Sequence, residues 1–443
     1  MRRYDIVVIG GSAGGLTAAI TARRQYPDKS ILVIRRDEKA LVPCGIPYIF
    51  GTLGSIDENV MGDGIYAKNN MDLIIDEVTD IDRSARVISV KNEGEIKYEK
   101  MVLAPGSKPL TPPIKGIDKK GVFSVKKDYY YLKNLKEEIE KVQKIAIIGG
   151  GFIGVEFADE IRKKGKEVSI IEMLPHCLMI AFDEDISIKA EKLLVENGVK
   201  LYTNEKVVEF VGEEKVEKVR LESGKEIDTE LVIVAIGAIP NTDLAEKIGL
   251  ELGPTRAIAV DRYMRTSDPN IFSAGDCAEK VSFFDGKPSK LRLASIATME
   301  ARIAGANLFG VHRMNMGTLG VFSTVVDDTA FALAGLSERT AKEKGYNIIV
   351  GEAESVNRHP GTMPGAKKLS VRLIFEKGSK ILIGGEVVGA KGSGEVVNIL
   401  SALIQQRVPA YEIATFQMGT HPALTASPVG YQLVTAAEVA LRK

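Results

Sequence analysis

The hydrophobic positions near the start of the chain predict a strand, a glycine-rich turn, a helix and a second strand. Apolar runs cover residues 4–9 and 30–34, and a helical pattern covers residues 16–24. The turn between the first run and the helix reads Gly10-Gly11-Ser12-Ala13-Gly14-Gly15. This order of elements is typical of a βαβ unit.

The same order recurs in the middle of the chain. Apolar strands over 144–148 and 167–171 lie on either side of a helix that ends near Lys164, and the turn reads Gly149-Gly150-Gly151-Phe152-Ile153-Gly154. In such turns glycines permit a tight bend, close approach of the backbone to a pyrophosphate, and close packing of helix on strand. A lone motif is weak evidence. Two copies in the right context predict two dinucleotide-binding domains rather than a pair of ordinary glycine-rich turns.

The two copies differ at the end of their second strand. In the second copy this position is Glu172, whose carboxylate can accept hydrogen bonds from a ribose 2′-hydroxyl and would repel a 2′-phosphate. We therefore expect NADH there, with NADPH less favoured. In the first copy the position is Arg35, so the usual acidic ribose contact is missing or is replaced by Asp37 or Glu38.

The pattern changes after about residue 325. Short strands over 370–375 and 381–388 are followed by helical patches over 394–406 and 430–441, which predicts a third, α+β domain. The predicted fold class is therefore α/β, with two Rossmann-like dinucleotide-binding domains and a C-terminal α+β domain.

Composition narrows the class of protein further. The chain has 443 residues, enough for two or three domains, and its 59 basic and 59 acidic residues give no reason to expect a nucleic-acid or membrane partner. It has no run of about 18 apolar residues and no signal-peptide pattern at its start, so we expect a cytoplasmic protein. Three cysteines, Cys44, Cys177 and Cys277, are too few for a disulfide scaffold. His176 beside Cys177 does not make a metal site, so no metal is expected.

Two further segments carry a resemblance to a known family. Gly275-Asp276 resembles a motif whose aspartate binds the ribityl chain of FAD, and Ala104-Pro105-Gly106 resembles an Ala-Thr-Gly segment. With the two glycine turns, they make the chain resemble the pyridine nucleotide–disulfide oxidoreductase family of flavoproteins over essentially its whole length. The resemblance implies FAD in the first unit, NADH in the second, and a homodimer formed through the third domain.

The resemblance also implies domain boundaries. The FAD-binding domain would be discontinuous and cover 1–111 and 245–322. The NAD(H)-binding domain would cover 112–244, and the dimerisation domain 323–443.

The turns and the resemblance assign two sets of residues to the cofactors. The FAD set is Gly10, Gly11, Ser12, Gly15, Arg35, Ala104, Gly106, Gly275, Asp276 and Ala294, the last because it lies in the segment 293–298, which leads into a helix and would present backbone N–H groups to the pyrimidine end of the flavin. The NADH set is Gly149, Gly151, Phe152, Gly154, Glu156, Glu172 and Gly237. Phe152 matches the aromatic residue that gates the nicotinamide pocket in the family, and Glu156 matches a residue that contacts the nicotinamide.

Cys44 indicates the branch of the family. Glutathione- and lipoamide-type enzymes have a second cysteine five positions on, but this chain has Ile49 there. A single cysteine before Gly45-Ile46-Pro47-Tyr48 resembles the branch of CoA-disulfide reductases, NADH-dependent persulfide reductases and NADH oxidases. We expect the turn after Cys44 to open a helix, whose N-terminus would favour the thiolate, the nucleophilic form. The alternative is a small buried hydrophobic residue.

Other positions bear on the acceptor. Peroxidases and water-forming oxidases of this branch have a histidine where this chain has Ala13, which counts against a peroxide or oxygen acceptor. Thr17 and Arg24 match the residues that bind the CoA nucleotide, although both are also ordinary residues for a helix surface. His421 resembles the partner-subunit acid–base histidine of the two-cysteine enzymes, but Ala426 replaces the glutamate that orients it there, and a plain interface histidine is the alternative.

The sequence thus predicts an FAD-dependent oxidoreductase that passes electrons from NADH to FAD to Cys44. It would reduce CoA disulfide, CoA persulfide or polysulfide, with Cys44 and His421 as catalytic residues. The alternatives are an NADH oxidase and a non-catalytic redox sensor that binds FAD and NADH. A reductase for a carrier protein is a further alternative, for which Cys44 would be needless.

Overall fold

A computed structural model describes residues 1–443, the whole chain. Its strands are, in chain order, β1 (Arg2–Ile9), β2 (Ile31–Arg35), β3 (Asp72–Ile75), β4 (Val78–Asp82), β5 (Val87–Val90), β6 (Gly94–Leu103), β7 (Ser107–Pro109), β8 (Val122–Ser124), β9 (Lys144–Ile148), β10 (Glu167–Ile171), β11 (Lys200–Tyr202), β12 (Val207–Val211), β13 (Lys218–Leu221), β14 (Glu226–Asp228), β15 (Leu231–Val234), β16 (Ala238–Pro240), β17 (Ile271–Ser273), β18 (Lys280–Val281), β19 (Pro288–Ser289), β20 (Val321–Val326), β21 (Thr329–Gly335), β22 (Ile348–Val356), β23 (Lys368–Glu376) and β24 (Leu382–Ala390).

The α-helices are α1 (Ala13–Gln25), α2 (Gly64–Lys68), α3 (Tyr129–Glu140), α4 (Phe152–Arg162), α5 (Glu184–Glu196), α6 (Asp243–Lys247), α7 (Ala294–Asn307), α8 (Glu338–Glu343), α9 (Val396–Gln405), α10 (Ala410–Ile413) and α11 (Gln432–Leu441). Short 3₁₀ helices cover Pro43–Gly45, Pro47–Phe50, Ile56–Asn59, Lys391–Glu395 and Pro428–Gly430.

Both predicted βαβ units are present. β1, α1 and β2 form the first unit, and β9, α4 and β10 form the second, with parallel pairing of β1 with β2 and of β9 with β10. The two strands of the second unit begin and end at the predicted residues. The mixed α/β fold class is therefore confirmed.

The chain divides into two compact units. The first contains residues 1–112, 124–141 and 236–318, and the second contains 113–123, 142–235 and 319–443. The second unit thus combines most of the predicted NAD(H)-binding domain with the predicted C-terminal domain, whereas 124–141 belong to the first unit. The three-domain boundaries remain a prediction.

In the first unit a seven-stranded sheet has the order β3-β2-β1-β6-β5-β4, with β17 also paired to β6. One apolar cluster covers the face on which α1 and α7 lie, and a second covers the opposite face. The two helices approach each other closely, because a Cβ at Gly305 would lie 2.4 Å from the carbonyl oxygen of Ala18. This packing places the start of both helices at the carboxyl ends of β1 and β17, where ligands of such sheets bind.

The second unit contains two five-stranded sheets. The sheet of the second βαβ unit has the order β11-β10-β9-β15-β8, and a three-stranded sheet has the order β12-β13-β14. The C-terminal sheet has the order β20-β21-β24-β23-β22 and is antiparallel throughout. Helix α4 lies against β20, the edge strand of the C-terminal sheet. None of the helices in the structure combines the length and apolar character needed to cross a bilayer.

Candidate active site

The first glycine turn is as tight as the sequence predicts. Gly10 has a φ of +113°, and a Cβ there would lie 2.2 Å from the carbonyl oxygen of Ala104. A Cβ at Gly15 would lie 1.9 Å from the carbonyl oxygen of Gly10. Ser12 precedes α1 but its side chain does not cap the helix, so the first N–H groups of α1 remain available to a phosphate.

Arg35 lies beneath this turn and is bound by protein groups. Its guanidinium donates to both carboxylate oxygens of Asp63, at 2.5 and 2.7 Å, and to the carbonyl oxygens of Asp37 and Glu38, each at 2.8 Å. A Cβ at Gly11 would lie 2.7 Å from Cδ of Arg35. Arg35 therefore supports the turn through its alkyl chain and holds Asp63, an acidic residue that the local sequence pattern does not single out.

Asp276 lies in a polar pocket of the first unit. Its carboxylate accepts hydrogen bonds from the Ser107 hydroxyl at 2.7 Å and from Nζ of Lys127 at 3.2 Å. Burial alone would raise the pKa of Asp276, but Lys127 and Ser107 outweigh burial and hold the pKa below its ordinary value. The group is therefore an anionic acceptor, suited to hydroxyl donors such as those of a sugar alcohol chain.

A buried ion pair supports the Gly275-Asp276 turn. Glu300, on α7, accepts the Gly275 N–H at 2.9 Å and an Nζ proton of Lys280 at 3.1 Å. Lys280 also donates to the carbonyl oxygen of Gly275 at 2.6 Å. Burial raises the pKa of Glu300 to about 7, against the opposing effect of Lys280.

Sequence reasoning missed this pair, although one signal was present. Glu300 occupies a position four residues after Ile296 and four before Ala304, both buried, so it lies on the apolar face of α7. A charged residue on such a face needs a partner, and Lys280 provides it.

The donors and acceptors of the first unit fit FAD. Helix α7 begins at Ala294, inside the segment 293–298 that we expected to lead into a helix, and Leu293 at its N-cap provides no side-chain cap. Nε of Arg292 is buried without a hydrogen-bond partner, which is typical of a donor that faces a bound group. Gly106, assigned to FAD, has a φ of +75°. Gly237, which we assigned to NADH, lies in the first unit instead, where its carbonyl oxygen accepts a hydrogen bond from the N–H of Leu110.

Cys44 is exposed, in a turn held by Asn59. The Asn59 side chain donates to the carbonyl oxygen of Val42 at 3.0 Å, and the Val42 N–H donates to the carbonyl oxygen of Asn59 at 2.9 Å. Gly45 leaves room for this side chain, because a Cβ there would lie 2.0 Å from Oδ1 of Asn59. No disulfide joins any of the three cysteines.

The helix that we predicted after Cys44 is wrong. The segment forms two single-turn 3₁₀ helices, Pro43–Gly45 and Pro47–Phe50. Pro47 is tolerated in the first turn of a helix, but this helix ends at Gly51 after a single turn and aligns too few peptide groups to form a helix dipole. A helix dipole is therefore not what would activate this thiol, and exposure and neighbouring groups have to do so.

The other two cysteines are buried. Cys177 fills the space beside Gly150, and burial, with Glu191 and Glu172, raises its pKa. Burial also raises the pKa of Cys277, which packs among the residues of β6 and β17. Both thiols are therefore poor nucleophiles at neutral pH.

The second glycine turn has the geometry of the first. Gly149 has a φ of +106°, and a Cβ at Gly154 would lie 1.9 Å from its carbonyl oxygen. Gly151 precedes α4 and leaves the helix N-terminus open. The carboxylate of Glu172 is buried and accepts N–H groups of Gly150 at 2.6 Å and Leu174 at 2.7 Å. These features fit a pyridine dinucleotide whose pyrophosphate lies at the start of α4.

Phe152 and Glu156 lie one turn apart on α4. The Phe152 ring stacks on Phe322 with centroids 5.1 Å apart and is tilted against Phe182 at 5.8 Å. The Glu156 carboxylate accepts a hydrogen bond from the Thr324 hydroxyl at 3.0 Å. Phe322 and Thr324 are on β20, and nothing in the local sequence pattern indicated that this strand meets α4.

His421 is exposed in the C-terminal part of the second unit. Its Nδ1 accepts a hydrogen bond from the N–H of Ala423 at 3.2 Å, and its own N–H donates to the Thr425 hydroxyl at 2.9 Å. The neutral ring therefore carries its proton on Nε2. His359 donates from Nδ1 to the carbonyl oxygen of Thr425 at 3.1 Å, so it supports the same turn.

Thr17 and Arg24 lie two helical turns apart on α1. Thr17 is half-buried and Arg24 is exposed. The spacing places both on one side of the helix. Their assignment to CoA remains a prediction, as do the other predicted site residues.

Comparison with known proteins decides the family. Residues 4–301 match the family described as pyridine nucleotide-disulphide oxidoreductase, and residues 321–430 match its dimerisation domain. The chain belongs to this family. The family prediction is therefore confirmed, and the chain is a flavoprotein oxidoreductase of a family that uses FAD and NAD(P)H.

The similar proteins include NADH oxidases and reductases of persulfide or polysulfide. A protein of Methanocaldococcus jannaschii named NADH oxidase is 33% identical over 99% of this chain and 98% of its own length. A Pyrococcus horikoshii protein named NAD(P)H coenzyme A polysulfide/persulfide reductase is 33% identical over 88% of each chain. The solved structure of a NAD-dependent persulfide reductase from A. fulgidus has a TM-score of 0.91 and 32% identity, and it is matched over 99% of this chain and 83% of its own.

Proposed function

We propose that this flavoprotein is an NADH-dependent reductase of disulfide or persulfide sulfur, with Cys44 as the residue that meets the sulfur substrate. The observation that carries the proposal is the exposed Cys44 thiol in a turn clamped by Asn59, with the other two cysteines buried. The persulfide and polysulfide reductases among the similar proteins support this acceptor.

When FAD is bound, it supplies the relay by which an electron pair from NADH reaches a sulfur atom. The anionic Asp276 would bind hydroxyls of this cofactor, and Lys280 and Glu300 hold the turn that carries Asp276. The starts of α1 and α7 would receive phosphate and ring oxygens, because their N–H groups have no side-chain cap.

The pyridine nucleotide would lie at the start of α4. Glu172 would favour NADH over NADPH, because a buried carboxylate at the ribose position repels a 2′-phosphate. Phe152 and Glu156 would contact the nicotinamide end.

Cys44 would act as a nucleophile towards sulfur. Its thiolate attacks one sulfur of a disulfide or persulfide, the S–S bond breaks, and a thiol or sulfide leaves, so that Cys44 is held in a mixed disulfide. Two electrons and a proton then return Cys44 to the thiolate and release the second thiol.

His421 would protonate the departing sulfur in its imidazolium form, because an imidazolium gives up a ring proton readily and a neutral imidazole does not. In the homodimer that we propose, formed through residues 323–443, this histidine would serve the Cys44 of the other subunit. Thr17 and Arg24 would bind the nucleotide part of a CoA substrate.

The test is anaerobic NADH oxidation by the purified yellow protein, with CoA disulfide, CoA persulfide and inorganic polysulfide offered in parallel. We expect turnover with at least one of them and its loss in Cys44→Ser, while NADH still bleaches the flavin. Cys277→Ala is the matched control, since it removes a thiol that is buried. Undiminished turnover in Cys44→Ser would refute the assignment.

A second candidate is an NADH oxidase, which the Methanocaldococcus jannaschii relative supports. Ala13, where the branch's oxidases have a histidine, counts against it. No turnover with any sulfur acceptor, together with rapid oxygen consumption that depends on Cys44, would favour the oxidase.

A further inference from the structure

A strand of the C-terminal sheet lies along the helix that would face the nicotinamide. Phe322 and Thr324 are two residues apart on β20, so their side chains point to the same side of the strand. Phe152 and Glu156 are one turn apart on α4 and also share a side. Phe322 stacks on Phe152, with ring planes 6° apart, and Thr324 bonds Glu156 at 3.0 Å.

The contact continues at the end of the same strand. The N–H of Asp327 donates to the carboxylate of Asp159 at 3.1 Å, and Arg162 lies 3.4 Å from the Asp327 carboxylate. The end of β20 and the turn after it therefore also contact the last two turns of α4. Four side chains of α4 therefore have partners on β20 or in the turn that follows it.

The surroundings of Glu156 make the Thr324 hydroxyl its main polar partner. Burial raises the pKa of Glu156 to about 7, the Thr324 hydrogen bond opposes this, and Glu160 adds to it. Glu160 itself is bound to Lys163. Of the elements packed against α4, β20 has no ionisable side chain, and β9 and β10 have one each at their first residue, Lys144 and Glu167.

We propose that Thr324 is a positioning residue for the reductive half-reaction: its hydroxyl fixes the carboxyl group of Glu156 against the nicotinamide end of NADH. Phe322 does the same for the ring of Phe152. The C-terminal domain therefore completes the nicotinamide pocket of its own chain. This inference rests on the part of the proposed function that places the nicotinamide beside Phe152 and Glu156.

The test compares Thr324→Val, which keeps the shape and removes the hydroxyl, with Thr324→Ser, which keeps the hydroxyl. NADH is mixed with the oxidised holoprotein without oxygen, and the rate of flavin bleaching is followed between about pH 5.5 and pH 9. The dissociation constant for NAD⁺ is measured by calorimetry over the same range, which gives a readout that needs no turnover. Glu156→Gln removes the titrating group.

In the wild type we expect the pH profile to have a midpoint near the pKa of Glu156, which is about 7. In Thr324→Val this midpoint should move upwards by about one pH unit, because the ionised carboxylate loses a hydrogen bond. Thr324→Ser restores the wild-type midpoint, and Glu156→Gln loses the part of the profile that responds to Thr324→Val. An unchanged midpoint in Thr324→Val, or the same shift when Thr324→Val is added to Glu156→Gln, overturns the inference.

The result of this test does not depend on whether the protein reduces a sulfur substrate. Bleaching of the flavin by NADH precedes any reaction at Cys44, so the expected shift would stand even if no sulfur substrate were reduced. Conversely, sulfur reduction that depends on Cys44, with no shift in Thr324→Val, would leave the proposed function intact and refute the role of Thr324.

Discussion

Asn59 and Val42 are joined by two hydrogen bonds, one from each residue to the backbone carbonyl of the other. The pair closes the loop that carries Cys44, and Asn59 is only 4% exposed. Because Val42 directly precedes the 3₁₀ turn of Cys44, the position of the thiol depends on a side chain fifteen residues further along the chain. Asn59 is thus a positioning residue for the proposed nucleophile.

We predict that Asn59→Ala slows sulfur reduction while NADH still bleaches the flavin at the wild-type rate. The carbonyl of Val42 would lose its side-chain donor, and the free energy of unfolding should fall by about 1–3 kcal/mol. Urea unfolding measures the loss of stability. Anaerobic turnover measures sulfur reduction, and the rate of Cys44 alkylation by iodoacetamide reports whether the thiol itself has changed its reactivity. Asn398→Ala, at an exposed position on α9, is the control and should change neither. Wild-type turnover in Asn59→Ala would show that the clamp does not position the thiol.

We predict that Lys280→Met weakens FAD retention and destabilises the protein. The change leaves Glu300 buried without its cation, and loss of one member of a buried pair costs about 3–5 kcal/mol. Melting followed by flavin fluorescence measures both effects in one experiment. The double variant Lys280→Met/Glu300→Leu should recover part of the melting temperature, because no uncompensated charge remains. Equal melting of wild type and Lys280→Met would contradict a supporting role for the pair.

The sequence predicted the βαβ units well because their signals are local. Apolar runs end at a glycine turn, and both strands of the second unit were predicted to the residue. It failed at Cys44, where the expected helix is only a single 3₁₀ turn that ends at Gly51. It also missed Glu300 with Lys280 and Thr324 with Glu156, since each pair joins residues far apart in the chain. Such pairings depend on tertiary packing, which a hydrophobic pattern does not encode.

We predict that His421→Gln slows the sulfur half-reaction and leaves flavin bleaching by NADH unchanged. A glutamine side chain can donate a hydrogen bond but cannot transfer a proton as an imidazolium does, so the departing thiolate would leave unprotonated. The rate should therefore depend on the acidity of the leaving thiol more steeply than in the wild type. A series of aromatic disulfides of graded thiol acidity measures this dependence. Equal slopes in both proteins would assign His421 to the interface alone.

We predict that Glu172→Gln increases the preference for NADPH relative to NADH by about tenfold, since the repelling charge is removed. Affinity for both nucleotides should fall, because the single carbonyl oxygen of a glutamine side chain replaces the two carboxylate oxygens with which Glu172 holds two N–H groups. The preference is measured as the ratio of kcat/KM with NADPH to kcat/KM with NADH. Glu196→Gln, exposed on α5, is the control and should leave the ratio as it is.

The burial of Glu156 also predicts how stability depends on pH. Its pKa is raised from 4.5 to about 7 in the folded protein, so the folded state binds a proton more tightly than the unfolded state. The resulting stabilisation is complete below the unfolded value and is lost as the pH rises through about 7. Glu156→Gln has no such proton to lose, so its stability relative to wild type should rise between about pH 5 and pH 8, by at most about 3 kcal/mol. Urea unfolding of the two proteins at both pH values measures the difference, and taking the difference cancels the contributions of Glu300 and Glu386, whose pKa values are also raised. A gap between the two proteins that stays constant with pH would show that Glu156 is ionised throughout, and that Thr324 binds a carboxylate that does not titrate in this range.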